Sequence, residues 1–143
     1  MGAQGRLPNA IEDPLTGERV EFISSARGED VLRMRLRVTA GGGLLGPHVH
    51  PAQEERVVVV GGALAFEFAE RAKTLLHAGD ELRIPAGVEH AWRNPTNADA
   101  VAMIELRPPL NSEAMFRLVF RRHAERAGRG GKRPSAADQT RRR

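Results

Sequence analysis

Cysteine is absent from this 143-residue chain, so neither a disulfide framework nor a thiolate metal site is open to it. The absence suits a reducing compartment. Long apolar runs are missing as well. The most apolar stretch, Val57 to Phe66, is far shorter than the ~20 residues of a membrane-spanning helix. Met1 to Pro8 lack the apolar core of a secretory signal, so a cytoplasmic location without membrane attachment is expected. Aromatic residues make up 4% of the chain and none lies beyond Phe120. The basic C-terminal segment therefore has no ring to stack on bases, and no nucleic-acid partner is expected.

Charge is unevenly spread. Nine Lys or Arg and two acidic residues follow from Arg121 onward, a net of +7. The whole chain carries +4, which leaves residues 1–120 at −3. The high pI thus belongs to the tail, and the body is mildly acidic. The length suits one domain with a core of its own.

Most of the body reads as short strands. Leu32, Met34, Leu36 and Val38 alternate with Arg33, Arg35 and Arg37, the period-two pattern of a half-buried strand. Further strands are expected at 56–60, 64–68, 72–77, 81–84, 90–93 and 100–107, punctuated by Gly61 and Gly62, Gly79 and Asp80, Pro85 to Gly87, and Asn94 to Asn97. Regular turns between many short strands indicate an all-β sandwich or barrel. After Pro108 and Pro109, Asn111 or Ser112 can cap a helix whose Met115, Phe116, Leu118, Val119 and Phe120 recur at helical spacing, with Gly128 as its stop. The expected organisation is a poorly ordered lead-in at 1–13, a barrel at 14–110, a helix at 111–127 and a disordered basic tail at 128–143. The Met and Phe stripe of the helix is expected to pack on the barrel or on a second subunit.

Three of the five histidines fall in two nearby blocks with a carboxylate. On a strand, His48 and His50 present both imidazoles to one face. A carboxylate shortly after them and His90 from another strand complete a set of three nitrogens and one oxygen. Such a set suits a divalent transition metal better than calcium or magnesium, which favour all-oxygen shells. Both Glu54 and Glu55 are placed to supply the oxygen. Parity favours Glu55: an inward Glu54 would bring Arg56 inward with it, setting a cation beside a cation, whereas an inward Glu55 is accompanied by Val57 and Val59. Trp92 shares the parity of His90 and is either a border of the cavity or a core residue. Asn94 is expected to bond backbone near the following turn. Glu89 is a thin candidate for a general base, since parity turns it away from His90. His77 and His123 have no ligand-spaced partner and are read as ordinary.

The two blocks resemble the paired motifs of the cupin superfamily. Gly42, five residues, His48-x-His50, a carboxylate and a later glycine are similar to the first motif. Gly79, five residues, Pro85-x-Gly87, two residues, His90, three residues and Asn94 are similar to the second. The resemblance spans residues 14–107 and is to small single-domain bacterial cupins. It implies an all-β jelly-roll barrel followed by the C-terminal α-helix, with one divalent transition metal (iron, manganese, nickel, copper or zinc) held by His48, His50, Glu55 and His90. It also implies an enzyme acting on a small organic molecule, aromatic or polyketide-like, with dioxygenase chemistry foremost. The alternatives are a redox-neutral isomerase or cyclase and a non-catalytic small-molecule-binding cupin. Val58 and Val60 on the outer face lead to the expectation of a homodimer.

Overall fold

The computed structural model describes residues 8–24, 28–43, 46–69 and 71–130. Nine strands precede one helix: β1 (Ala10–Asp13), β2 (Glu18–Ile23), β3 (Leu32–Val38), β4 (Glu54–Gly61), β5 (Ala63–Phe68), β6 (Arg71–His77), β7 (Glu81–Ile84), β8 (His90–Arg93), β9 (Ala100–Arg107) and α1 (Ser112–Gly130). They form two antiparallel sheets, one ordered β1-β2-β3-β9-β4-β7 and one ordered β6-β5-β8. The fold is the jelly-roll barrel with a C-terminal helix.

Alternation builds the core. Leu32, Met34, Leu36 and Val38 of β3 turn inward, as do Val57 and Val59 of β4 and Ala102, Ile104 and Leu106 of β9. Leu64, Phe66 and Trp92 meet them from the smaller sheet. Each fully buried Leu, Val or Phe contributes about 1.5–3 kcal/mol of transfer free energy, so the inward faces hold the two sheets together. Between β4 and β5 the chain turns at Gly62, whose φ is +69°. A Cβ there would stand 2.6 Å from the Asp99 carbonyl oxygen, so conformation and space both require glycine.

Three expectations need correction. Residues 10–13, read as lead-in, form β1, because their backbone pairs with Glu18 to Glu21 across the Asp13 turn; residues 1–7 of that lead-in lie outside the described residues. Strand β2, not anticipated, sits between β1 and β3. Its inward face is only Glu18, Val20 and Phe22, too mixed in polarity to announce itself. Gly128 does not stop α1, which runs on to Gly130; Gly128 is exposed, with open space where a Cβ would stand. The remainder of the expected disordered tail, residues 131–143, lies outside the described residues.

The helix lies across the barrel mouth. Phe120 is buried, Phe116 packs against the core, and the Arg117 guanidinium sits 4.5 Å from the Phe22 ring centroid. Its start is tied down by Gln53, whose amide donates to the Pro108 and Pro109 carbonyls at 2.7 and 2.9 Å and shares hydrogen bonds with the Ser112 hydroxyl. None of the described helices is long and apolar enough to cross a membrane.

Candidate metal centre

Four side chains converge inside the barrel. Glu55 comes from β4 and His90 from β8. His48 and His50 do not lie on a regular strand, contrary to expectation. Their segment is clamped instead by individual backbone bonds. His48 and His90 exchange N–H to carbonyl bonds of 2.9 Å in both directions, and the Gly87 N–H donates to the His50 carbonyl at 2.9 Å. These bonds hold the segment so that both rings reach the same cluster. Upstream, Gly43 lets the chain lie against β8, where a Cβ would stand 2.5 Å from the Trp92 carbonyl oxygen.

The potential ligand atoms of His48, His50, Glu55 and His90 all lie within 4.8 Å of one another. That span is little more than the ~4.2 Å between ligands on opposite sides of one ion with ~2.1 Å bonds. The Nε2 atoms of all three histidines and both Glu55 carboxylate oxygens are buried, and none makes a well-directed hydrogen bond. His90 Nε2 and Glu55 Oε2 are 2.8 Å apart, close enough for an ion pair, yet their geometry falls outside that of a directed hydrogen bond. Buried polar atoms are otherwise nearly always partnered, and five together, all of ligand type, match the needs of a cation. The carboxylate also offsets part of a divalent charge.

The imidazoles are set up as ligands. His90 directs Nδ1 to the Val88 carbonyl at 3.0 Å, which puts the proton on Nδ1 and leaves the Nε2 lone pair facing inward. Burial pushes His48 down to about 3, with the neighbouring His90 and His50 adding to the effect. Burial likewise lowers His50. Both rings are therefore neutral near pH 7, as coordination requires. For His90 burial also works against the charged form, but Glu55 and the Val88 carbonyl outweigh it and raise the pKa.

Parity separates the adjacent glutamates. Glu55 is buried at 1% exposure. Glu54 points outward, 2.9 Å from Arg83. Arg56, also outward, pairs with Glu81 at 2.6 Å and Glu105 at 3.0 Å. Trp92 both belongs to the core and borders the site: its ring lies perpendicular to His48 at 5.4 Å, and its indole N–H donates to Glu18 at 3.0 Å. Asn94 does more than join its own turn. Its amide donates to the Val38 and Ala98 carbonyls, and its oxygen accepts from Thr96. Glu89 is exposed and stands apart from the cluster. His77 is exposed on β6.

A cavity of about 410 Å³ opens onto His48 and His50. Helix α1 forms one wall with Met115, Phe116, Val119 and Phe120, and Leu110 and Val49 extend the apolar rim. Polar groups interrupt this lining at Glu18, Asp13 and His123. Burial raises the Glu18 pKa, and Asp13 adds to the rise, against the opposing hydrogen bonds from Thr16 and Trp92. His123, read as ordinary from sequence, is not: its Nδ1 lies 2.5 Å from Asp13 Oδ2. The pair is 110 positions apart in sequence, so no local spacing could have revealed it.

A jelly-roll barrel with three imidazoles and a carboxylate converging beneath an apolar mouth defines the class: a small barrel protein with an internal site able to hold a metal. The family follows from comparison with known proteins. Residues 34–106 match the cupin domain, and the chain belongs to the cupin family. It is 29% identical over 108 residues to germin-like protein subfamily 3 member 3 of Arabidopsis thaliana, covering 73% of this chain and 51% of that protein. The chain thus spans about half the length of the curated relatives it matches. Among solved structures, KdgF from Halomonas sp. superposes with a TM-score of 0.62 at 19% identity, over 72% of this chain and 91% of that one. A sugar phosphate isomerase of the cupin superfamily from Silicibacter pomeroyi superposes with a TM-score of 0.58 at 25% identity, over 64% and 60%.

Proposed function

We propose that this cupin is a metal-dependent enzyme acting on a small organic molecule with an apolar body, with dioxygenase chemistry as the leading reading. The observation that carries the proposal is the set of five unpartnered, buried ligand atoms, two of whose residues, His48 and His50, line a cavity walled by apolar side chains. His48, His50, Glu55 and His90 would hold one divalent transition metal. Four protein ligands leave one or two positions for substrate, the feature that separates working metals from structural ones. When bound, a redox-active ion supplies a path for electrons between substrate and dioxygen, and a redox-inert ion supplies Lewis acidity. The chain's own contribution is to keep the His48 and His50 imidazoles neutral, exclude water with Phe116, Phe120 and Met115, and orient an aromatic or polyketide-like body against that wall.

A second reading, redox-neutral isomerase or cyclase chemistry, is favoured by one specific observation. Acid-base groups, buried Glu18 and Asp13 with the half-buried His123, line the same cavity. A non-catalytic binding cupin would not need them. The test is metal analysis of untagged protein supplied with iron, manganese, nickel, copper or zinc in turn, followed by oxygen uptake with catechols and 1,3-diketones. Near one metal per chain and metal-dependent oxygen uptake are expected. Stoichiometric zinc with no uptake under any redox-active metal would discard the dioxygenase reading. Failure to bind any of the five would discard the enzyme altogether. Metal binding can be followed directly, because Trp92 is the only tryptophan and there is no tyrosine. Its ring, 5.4 Å from His48, should be quenched by a paramagnetic ion at the site.

A further inference from the structure

We infer that His123 and Asp13 form a proton-transfer dyad that removes a proton from substrate held in the cavity. This inference rests on the metal-dependent reading above and names the acid-base group that reading needs. Four observations support it. His123 comes from α1 and Asp13 from the end of β1, and they meet at 2.5 Å through Nδ1 and Oδ2. The Asp13 carboxylate is fully buried, and its other oxygen accepts from the Leu15 N–H at 3.0 Å and, more weakly, from the Thr16 N–H at 3.4 Å. It is therefore fixed in place and cannot swing away from the ring. The His123 side chain keeps 18% of its surface accessible, and its ring bonds among the described residues through Nδ1 alone. Both residues line the cavity that His48 and His50 also line.

An imidazole with one nitrogen held by a buried carboxylate, on a side chain that lines a cavity, is the arrangement of an oriented general base. Glu18 in the same wall is a poorer candidate, because its Oε2 already accepts the Trp92 indole. The substrate class follows from what the cavity offers. A metal held by His48, His50, Glu55 and His90 would favour a pair of chelating oxygens at one end, and the walls favour an aryl or alkyl body, so the proton to be removed is one on carbon beside a carbonyl, as in an aryl α-hydroxyketone. In the step, the C–H bonding pair moves into the adjacent C–C bond and the carbonyl π pair moves onto oxygen, giving the enolate. The proton forms a new N–H bond at His123 Nε2. The Nδ1–H stays with Asp13, whose charge stabilises the imidazolium. The hydroxyl proton then passes to the enolate oxygen, the C–C π pair takes the proton back from Nε2 at the former carbonyl carbon, and the hydroxyl oxygen becomes the new carbonyl, which completes an isomerisation with no oxidant consumed.

The test uses the full chain loaded with zinc, so that oxidation cannot interfere, and 2-hydroxy-1-phenylethanone in deuterated water. Loss of the methylene proton signal reports exchange. The wild type should exchange the probe faster than zinc ion alone. His123→Asn keeps an amide nitrogen where Nδ1 stands, preserving the bond to Asp13 and removing Nε2. It should lower the exchange rate by roughly 100-fold or more at unchanged zinc content and probe affinity. Asp13→Asn should also slow exchange. In metal-free protein labelled with 15N-histidine, the resonance missing from the His123→Asn spectrum should shift on addition of the probe. Exchange by His123→Asn at the wild-type rate overturns the dyad, and loss of thermal stability alone assigns the pair to helix docking. A zinc-loaded wild type that neither exchanges the probe nor shows the nitrogen shift also overturns it. Absence of bound zinc defeats the metal reading instead, and the metal-free nitrogen measurement still decides the dyad.

Discussion

Glu54 and Glu55 are neighbours on one strand and face opposite electrostatic surroundings. On the outer face of β4, both charged side chains are paired. Glu54 meets Arg83, Arg56 lies between Glu81 and Glu105, and Glu105 accepts from Arg33 at 2.7 Å, Arg56 at 3.0 Å and Arg107 at 3.1 Å. On the inner face, Glu55 and three histidines leave five buried atoms without a directed hydrogen bond. A folded chain that satisfies every ion on one side of β4 has no general difficulty in doing so on the other. The contrast shows that the inner set is arranged for something outside the chain, since burying such groups unpartnered opposes folding.

The sharpest way to break the contrast is Glu55→Gln, which keeps the shape and removes the charge. Metal affinity should fall by more than the ~10–100-fold typical of losing an outer partner of a ligand, read by calorimetry and by Trp92 quenching. Unchanged metal affinity would show that the inner face is not a metal site. On the outer face, Glu105→Gln should destabilise the fold by about 1–2 kcal/mol in urea titration, the arginine heads being partly solvated, with metal content unaltered.

The pH dependence sharpens the same contrast. Partial burial works against the Glu105 charge, but Arg107, Arg33 and Arg56 outweigh it and hold the carboxyl at about 2, below its ordinary 4.5. A depressed carboxyl stabilises the fold fully above its unfolded value and loses that contribution as pH falls from 4.5 through about 2. The stability difference between wild type and Glu105→Gln should therefore shrink across that window and vanish below it. A difference that grows on acidification would contradict this account. The smallest effect belongs to Glu54→Gln. An exposed pair with Arg83 is worth less than about 0.5 kcal/mol, and metal binding should not change. If Glu54→Gln abolished metal binding and Glu55→Gln did not, the parity reading of β4 would be wrong.

Much of the barrel was legible because alternation is a local property. The strands at 81–84, 90–93 and 100–107 match the observed β7, β8 and β9 residue for residue. The inward register of Glu55, Val57 and Val59 follows from the same period of two. Strands β1 and β2 were not legible, since their pairing depends on β3 and on a turn closed by the Asp13 side chain. The segment holding His48 and His50 reads as strand but is held by single bridges to β8 and the Pro85–Gly87 turn. Its two rings reach the centre without strand geometry.

The candidate ligands were visible in sequence because their spacing repeats a pattern tied to two short hairpin-linked segments. The cavity was not. Met115, Phe116 and Phe120 announce an amphipathic helix through their 3.6-residue period, yet a period says only which side of a helix is apolar, not which surface it will cover. The meeting of His123 with Asp13 lies further still from local reach. Spacing along a chain prescribes which side chains share a face, because backbone geometry repeats every two or 3.6 residues. Which faces come together, and so whether an ordinary histidine gains a buried carboxylate, is decided only when distant elements pack and exclude water between them.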